Sequence, residues 1–208
     1  MKLLVVAATE GEIAPFIEAG YPVDLAVTGV GIPSTIIQVS KKLQEQTYDL
    51  AIQAGIAGTF IASLEQESCV LVEQDTFADI GAEEQGVFQT IFEMGLADKN
   101  EFPYKDGWLK NEHPFLKQRM LPMVSAITVN KITDNATVTA NTYSKFHPAV
   151  ESMEGAAFHY VCLCNHVPFL QLRSISNIVG ERDKKKWKMY EAINSLNTAL
   201  KKITENFI

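Results

Sequence analysis

Residues 153–173, MEGAAFHYVCLCNHVPFLQLR, place a helix pattern directly before an apolar strand pattern. Apolar and small side chains recur at three- and four-residue spacing over residues 153–164, which predicts a buried helix. The apolar run at residues 168–173 is short enough to be a strand. A helix followed so closely by a strand is typical of α/β proteins.

The same alternation extends toward both ends of the chain. Its apolar runs are continuous, which indicates strands covered by helices on both faces. We therefore predict an α/β fold in a single domain over residues 1–208, with a mixed, mostly parallel central sheet between helical layers. The predicted strands are residues 3–8, 23–27, 49–53, 69–72, 124–129 and 168–173, and the predicted helices are residues 10–18, 33–46, 136–146, 153–164 and a segment after Lys184.

Composition narrows the possible partners of this chain of 208 residues. Hydrophobic residues make up 47% and charged residues 21%, which excludes a disordered scaffold, and the net charge is −7. Such an acidic chain is not expected to bind nucleic acid or an anionic membrane. The first apolar run is interrupted at Thr9, which favours a buried strand over a signal peptide, and no run reaches the ~20 apolar residues of a membrane span. Three cysteines in apolar surroundings favour a cytoplasmic location.

Two short motifs have plain structural interpretations. Thr9 followed by Glu12 is a capping box at a helix start, although a carboxylate at the end of the first strand is also well placed for function. The TGVG sequence at residues 28–31 lies between a strand and a helix, where glycines allow a ligand to approach the backbone. A third glycine and a phosphate-binding lysine are missing there, so a tight turn is the simpler interpretation.

The helix at residues 153–164 and its end carry a candidate set of metal ligands. His159, Cys162, Cys164 and His166 are metal-binding residue types, but 162 and 164 point to different faces of a helix. Core packing explains them better, and we predict neither a metal nor a cofactor.

Two polar segments on consecutive elements are harder to explain by packing. Residues 151–157, ESMEGAA, put two carboxylates and several small residues at the mouth of a buried helix. Residues 173–177, RSISN, carry the next strand into a predicted polar turn that ends in an amide. Because both segments lie at the carboxyl edge of the predicted sheet, we expect them to share one cleft.

Five short segments follow one another along the chain: the first strand with Glu12, TGVG at 28–31, QAGIAG at 53–58, MEGAA at 153–157 and SISN at 174–177. Together, and in this order, they resemble the purine nucleoside phosphorylase and nucleosidase superfamily. Within it the chain is most similar to the futalosine hydrolase branch, for which VESMEGAA at 150–157, SNIVGERD at 176–183 and Trp187 look characteristic.

The resemblance implies an N-glycosidase with a small nucleoside as substrate. Glu12 then activates water, Glu154 accepts hydrogen bonds from the ribose hydroxyls, Met153 packs on the sugar, and Asn177 contacts the leaving base. Arg182, just beyond Asn177, is our candidate for a carboxylate at the far end of futalosine; its alternative is an ion pair with Asp183. Further substrate contacts are expected at Gly29, Gly55, Ile56, Ala57, Thr133 and Ser176.

Two departures from relatives sharpen this expectation. The bacterial phosphorylases resembled here carry Arg and Ser in the segment that matches residues 53–56, and this chain has neither, so water is the expected acceptor. Adenosine-cleaving nucleosidases carry an aspartic acid at the position of Asn177. An amide cannot supply a full proton to adenine, but it can donate to the 6-oxo group of hypoxanthine.

Two alternatives stay open at this level. One is a methylthioadenosine/S-adenosylhomocysteine or aminodeoxyfutalosine nucleosidase that releases adenine, and the other is a nucleoside-binding protein without catalysis. Relatives form dimers or larger assemblies, so a homo-oligomer is expected. The irregular segment at residues 75–122 is a candidate interface through its aromatic residues Phe77, Phe102, Tyr104 and Trp108.

Overall fold

The computed structural model describes residues 1–118 and 121–208. Its helices are α1 (Glu10–Glu18), α2 (Ile32–Glu45), α3 (Ala136–Phe146), α4 (Gly155–Cys164) and α5 (Met189–Glu205), with short 3-10 turns at Pro114–Gln118 and Lys184–Lys186. The strands found in this part of the chain are β1 (Leu3–Ala7), β2 (Asp24–Val27), β3 (Leu50–Thr59), β4 (Cys69–Asp75), β5 (Gly81–Glu84), β6 (Val87–Thr90), β7 (Leu109–Lys110), β8 (Met123–Thr128), β9 (Val150–Ser152) and β10 (Phe169–Ile178).

The central sheet is mixed and partly closed on itself. Strands β2, β1, β3 and β10 run parallel as neighbours. Strand β10 then pairs antiparallel with β4, β4 parallel with β8, β8 parallel with β9, and β9 antiparallel with β3. Five strands therefore form a closed ring from which β1 and β2 extend, and β5–β6 is a separate hairpin.

Helices cover both faces of the sheet, as the continuous apolar strands predicted. On β1, Leu3 and Val5 pack into a core with α1 and α5, whereas Leu4 and Val6 pack into a second core with α2 and α4. All four are buried because successive strand residues point to opposite faces. The α/β class and the mixed sheet between helices are confirmed.

Two strands are longer than the sequence patterns indicated. Strand β3 continues through the small residues of QAGIAG to Thr59, and β10 continues through SISN to Ile178. The predicted polar turn at residues 173–177 is therefore wrong. Glycine and alanine have low strand propensity, but here each strand pairs with the other along this whole length, and such tertiary pairing outweighs propensity.

Other elements differ from the prediction in their bounds or were not predicted. Helix α4 begins at Gly155 because Glu154 takes the N-cap position, and Met153 separates this cap from β9. The irregular segment at 75–122 contains the β5–β6 hairpin, whose turn uses Gln85 and Gly86 at positive φ. No helix in the described parts of the chain combines the length and apolarity that crossing a membrane requires.

Candidate active site

A cleft of about 390 Å³ opens where β1, β3, β9 and β10 end. The structure brings most of the predicted site residues together around it. Those that line it are Glu12, Ile56, Ala57, Thr133, Met153, Glu154, Ser176, Asn177 and Arg182.

Glu12 is held by contacts to both of its carboxylate oxygens. Oε2 accepts hydrogen bonds from the backbone N and the Oγ1 of Thr9, both at 3.0 Å, which is the Glu12 half of the predicted capping box. Oε1 accepts from the backbone N of Ile56 at 3.1 Å. The cap and a position inside the cleft therefore coexist, and the carboxylate is oriented by two different elements.

Glu154 enters the cleft as the N-cap residue of α4. Its Oε1 accepts a hydrogen bond from the backbone N of Gly31 at 2.9 Å, and the residue is only 7% exposed. Burial raises the pKa of Glu154, and the nearby Glu12 raises it further, whereas Arg173 and the Gly31 amide lower it. The net effect is a raised pKa, and the Gly31 amide fixes the carboxyl in place.

Arg173 is a functional candidate that the sequence analysis gave no role. The residue is 2% exposed, and Nη2 donates to Gln53 Oε1 at 2.8 Å and to Ser152 Oγ at 3.4 Å. Nε has no hydrogen-bond partner in the described structure. A charged residue inside the otherwise apolar run of β10 was the available signal, since buried arginine is rare without a specific purpose.

Gly55 explains how this buried cation approaches the carboxylates. A side chain at Gly55 would overlap Arg173 Nη1 and would lie 3.1 Å from Glu12 Oε1. The absence of a side chain there leaves the guanidinium close to Glu12. Gly55 itself is not among the residues that line the cleft. Its predicted contact with substrate stays a prediction, while the structure gives it a role in admitting Arg173.

Asn177 lies at an irregularity of β10. The register with β3 shifts between Ile175 and Asn177, and such bulges redirect side chains at the ends of strands. Ser176 Oγ donates to Asn177 Oδ1 at 2.8 Å, and Asn177 Nδ2 donates to the Ile178 carbonyl at 2.9 Å. These bonds orient the amide at the edge of the cleft.

The TGVG turn at residues 28–31 contacts the site through its backbone. Gly29 does not line the cleft, and its backbone N donates to the Ala8 carbonyl at 3.0 Å. Gly31 caps α2 with φ of 92°, a conformation that favours glycine, and gives its amide to Glu154. The helix N-terminus thus holds a protein carboxylate, and the predicted ligand contact at Gly29 stays a prediction.

The outer end of the cleft contains Arg182 above an aromatic ring. The Arg182 guanidinium carbon lies 5.4 Å from the centre of the Trp187 ring, and Trp187 Nε1 donates to the Glu181 carbonyl at 2.9 Å. Asp183 Oδ1 accepts from the backbone N of Lys185 at 3.0 Å, and over the described residues no ion pair joins Asp183 to Arg182. Arg182 is therefore exposed and oriented by stacking.

The histidines and cysteines near α4 point in different directions. His159 is fully buried with Nδ1 3.0 Å from the Leu109 carbonyl, and Cys162 lies in the core, whereas Cys164 and His166 are exposed. Burial lowers the pKa of His159 to about 4, so its ring is neutral. Over residues 1–118 and 121–208, no cluster of three or more His, Cys, Asp or Glu side chains could hold a metal ion.

The protein is an α/β protein with the fold of the nucleosidases. Its mixed sheet carries two carboxylates and an amide at the ends of its strands. The 5'-methylthioadenosine/S-adenosylhomocysteine nucleosidase of Helicobacter pylori has this fold, with a TM-score of 0.82, 15% identity and coverage of 100% of this chain and 99% of the other. The futalosine hydrolase of Helicobacter pylori matches with a TM-score of 0.80, 15% identity and coverage of 100% and 98%.

The chain belongs to the phosphorylase superfamily, whose family model matches residues 7–208. Among curated relatives, the futalosine hydrolase of Streptomyces coelicolor is 28% identical over 86% of this chain and 77% of its own length. The futalosine hydrolase of Thermus thermophilus is 26% identical over 85% and 78%.

Proposed function

We propose that this protein is a nucleoside hydrolase that cleaves the N-glycosidic bond of futalosine. Its products are hypoxanthine and dehypoxanthine futalosine, which places it in an alternative route to menaquinone. The observation that carries the proposal is the convergence of Glu12 and Glu154 in one cleft with Asn177. The resemblance to curated futalosine hydrolases over most of the chain supports the choice of substrate.

The bond-breaking step follows from these side chains. Glu12 accepts a proton from water as the water oxygen bonds to C1′ of the ribose, and the C1′–N9 electron pair leaves with the base, which then takes up a proton. Positive charge develops on the sugar in the transition state, where carboxylates are stabilising. Glu154 accepts hydrogen bonds from the ribose hydroxyls, and Met153 packs against the sugar.

The charge distribution favours water over phosphate as the acceptor. Arg182 is the cation among the described residues that line the cleft, and it stacks on Trp187 at the outer end. Arg173 lies behind Gly55 with Nη2 already bonded to Gln53 and Ser152. A phosphate dianion is held by several cations, whereas the described residues that line the cleft include a single one, Arg182.

Asn177 favours a 6-oxopurine as leaving group. Asn177 Oδ1 accepts from Ser176, and Nδ2 donates one hydrogen to the Ile178 carbonyl. The second hydrogen on Nδ2 can donate to a carbonyl oxygen on the base. An aspartic acid at this position would supply the proton that an adenine leaving group needs. The competing assignment, a methylthioadenosine or aminodeoxyfutalosine nucleosidase, is therefore less well supported, although such enzymes share the fold.

Substrate contacts beyond these groups complete the proposal. Ile56, Ala57, Thr133 and Ser176 line the sugar and base region, and Arg182 binds the aromatic carboxylate at the far end of futalosine. We further propose that the chain acts as one domain, works as a homo-oligomer, and resides in the cytoplasm, where its three cysteines stay reduced.

Chromatography of the released base tests the proposal. Purified protein is incubated with futalosine, aminodeoxyfutalosine and methylthioadenosine, each with and without phosphate. We expect hypoxanthine from futalosine at a rate independent of phosphate. Adenine release as the dominant activity would establish the competing nucleosidase, and tight binding without any base release would establish a non-catalytic nucleoside-binding protein.

A further inference from the structure

Glu151, Gly58 and Asn177 form a row across three adjacent strands beside the cleft. Gly58 of β3 pairs with Glu151 of β9 on one side and with Asn177 of β10 on the other. Residues in register on neighbouring strands point to the same face of a sheet, and all three line the cleft. Glu151 and Asn177 therefore face the cleft from opposite sides of a glycine.

Because Gly58 has no side chain, the space between the side chains of Glu151 and Asn177 is open. A Cβ at Gly58 would lie 3.2 Å from Asn177 Nδ2 and 3.0 Å from Val179 Cγ2, which is tighter than ordinary packing. Two strand spacings place the backbones of Glu151 and Asn177 about 10 Å apart, and their side chains flank the space above Gly58.

The carboxyl of Glu151 has no partner among the described residues. It makes no hydrogen bond or ion pair there, although the side chain is mostly buried. Burial raises the pKa of Glu151 to about 7, and the nearby Asp79 contributes to the rise. A half-buried polar group without a partner carries a free-energy cost that a ligand with a matching donor would relieve.

We propose that Glu151 accepts a hydrogen bond from N1–H of a 6-oxopurine and thereby selects hypoxanthine over adenine. This inference rests on the proposed function, because it concerns the base of the same substrate. N1 carries a hydrogen in a 6-oxopurine but is an acceptor in adenine, so the ionised carboxylate of Glu151, the form that prevails above pH 7, matches only the former. In this form, Glu151 and N1 of adenine would be two acceptors facing each other and both would stay unsatisfied, which is how a hydrogen-bonding site rejects an analogue.

The assignment gives the two polar ends of the row different tasks. Asn177 contacts the imidazole side of the base, where the leaving-group charge develops, whereas Glu151 contacts the pyrimidine side, which differs between the two bases. Glu151 is therefore a specificity-determining residue. Loss of its carboxylate should lower the preference for hypoxanthine over adenine without lowering the rate on the adenine nucleoside.

The test compares futalosine with aminodeoxyfutalosine, which carry the same sugar and differ in the base. In Glu151→Gln the amide can turn to offer either a donor or an acceptor, so both bases become acceptable. We expect kcat/KM for futalosine to fall by about tenfold, because a hydrogen bond to a neutral amide oxygen replaces one to a charged carboxylate. The rate on aminodeoxyfutalosine should stay constant or rise. Glu84→Gln, on the exposed strand β5, is the matched control and should change neither value.

Equal losses on both nucleosides, or no change in their ratio, would overturn the assignment. Glu151→Ala serves as a second variant if the glutamine variant does not fold, and it should lower the ratio in the same direction. Failure of the proposed function is distinguishable, because the wild-type protein would then release no base from futalosine. In that case calorimetry with free hypoxanthine and adenine decides, with a preference for hypoxanthine expected in wild type and lost in Glu151→Gln.

Discussion

The carboxylate of Glu12 is oriented before any substrate arrives. Thr9, three residues earlier in the chain, donates to one carboxylate oxygen. Ile56, 44 residues later, donates to the other. A side chain fixed in this way loses little entropy when the reaction begins, which is a general advantage of preorganised sites. The local half of this arrangement follows from the capping-box sequence, whereas the Ile56 contact depends on how β3 lies beside α1.

Removing the charge of Glu12 tests its role as the group that activates water. Glu12→Gln keeps the size of the side chain but cannot accept the proton, so kcat should fall by about a hundredfold or more with little change in KM. Glu10→Gln is the matched control, since Glu10 is exposed in the same helical turn and outside the cleft. Steady-state kinetics on futalosine measures both. A Glu12→Gln enzyme with near wild-type kcat would remove Glu12 from the mechanism.

A separate prediction concerns the far end of the substrate. If Arg182 pairs with the carboxylate of futalosine, Arg182→Ala should raise KM by about tenfold and leave kcat nearly unchanged, because the contact is remote from the bond that breaks. Lys184→Ala, an exposed cation two residues away, should have no effect. An unchanged KM in Arg182→Ala would mean that the stacking on Trp187 serves only the loop itself.

The N-terminus of α4 is the element that positions Glu154, and it rests on a buried polar cluster. Asp75 is fully buried and accepts hydrogen bonds from Thr128 Oγ1 at 3.0 Å and Gln171 Nε2 at 3.2 Å. Thr128 Oγ1 in turn accepts from the backbone N of Ala156 at 2.7 Å. Gly155 is required because a side chain there would overlap Asp75 and Gln171. The sequence indicated small residues at this helix start but not the cluster behind them.

This cluster predicts a pH dependence of stability. Burial raises the pKa of Asp75 from 3.8 to about 7, so between these values the folded protein binds a proton that the unfolded chain releases. The contribution of Asp75 to stability is thus greatest below pH 4 and declines as pH rises toward 7, by at most about 1.4 kcal/mol for each pH unit. Asp75→Asn removes this titration and should flatten the decrease of Tm between pH 5 and 7.

Differential scanning calorimetry at several pH values measures the difference. In Asp75→Asn the amide oxygen can still accept from Thr128, and the amide nitrogen can donate to Gln171 once the Gln171 amide turns its unpartnered Oε1 toward position 75. The exposed Asp134→Asn serves as control and should keep the wild-type slope. Parallel Tm curves for wild type and Asp75→Asn would contradict the prediction.

On the scale of the whole molecule, the closed ring of strands determines which residues meet at the cleft. The aromatic residues of the irregular segment contribute less to the outer surface than the sequence suggested. Trp108 packs on Phe146, and Phe77 and Tyr104 pack near Tyr160, whereas Phe102 is 62% exposed. The interface expected in this segment therefore depends on Phe102 more than on its neighbours.

Light scattering coupled to size-exclusion chromatography tests the expected homo-oligomer. The measured mass should be at least twice that of the 23.1 kDa chain. Phe102→Asp should reduce this mass because a buried charge destabilises an apolar contact. Ile37→Asp, at a residue that is 53% exposed on α2 and outside the segment 75–122, is the comparison. A wild-type mass of one chain would show that the protein acts as a monomer.

The sequence by itself determined the fold class, most helices and strands, and nine of the residues that line the cleft. These depend on local information, namely buried apolar runs, caps and short motifs in a fixed order. Only the tertiary structure decided that β3 and β10 extend through their motifs, that Arg173 lies behind Gly55, and that Glu151 faces Asn177 across Gly58. Those relations arise from pairing between strands that are distant in sequence, and neither propensity nor periodicity along one strand encodes which partner it will meet.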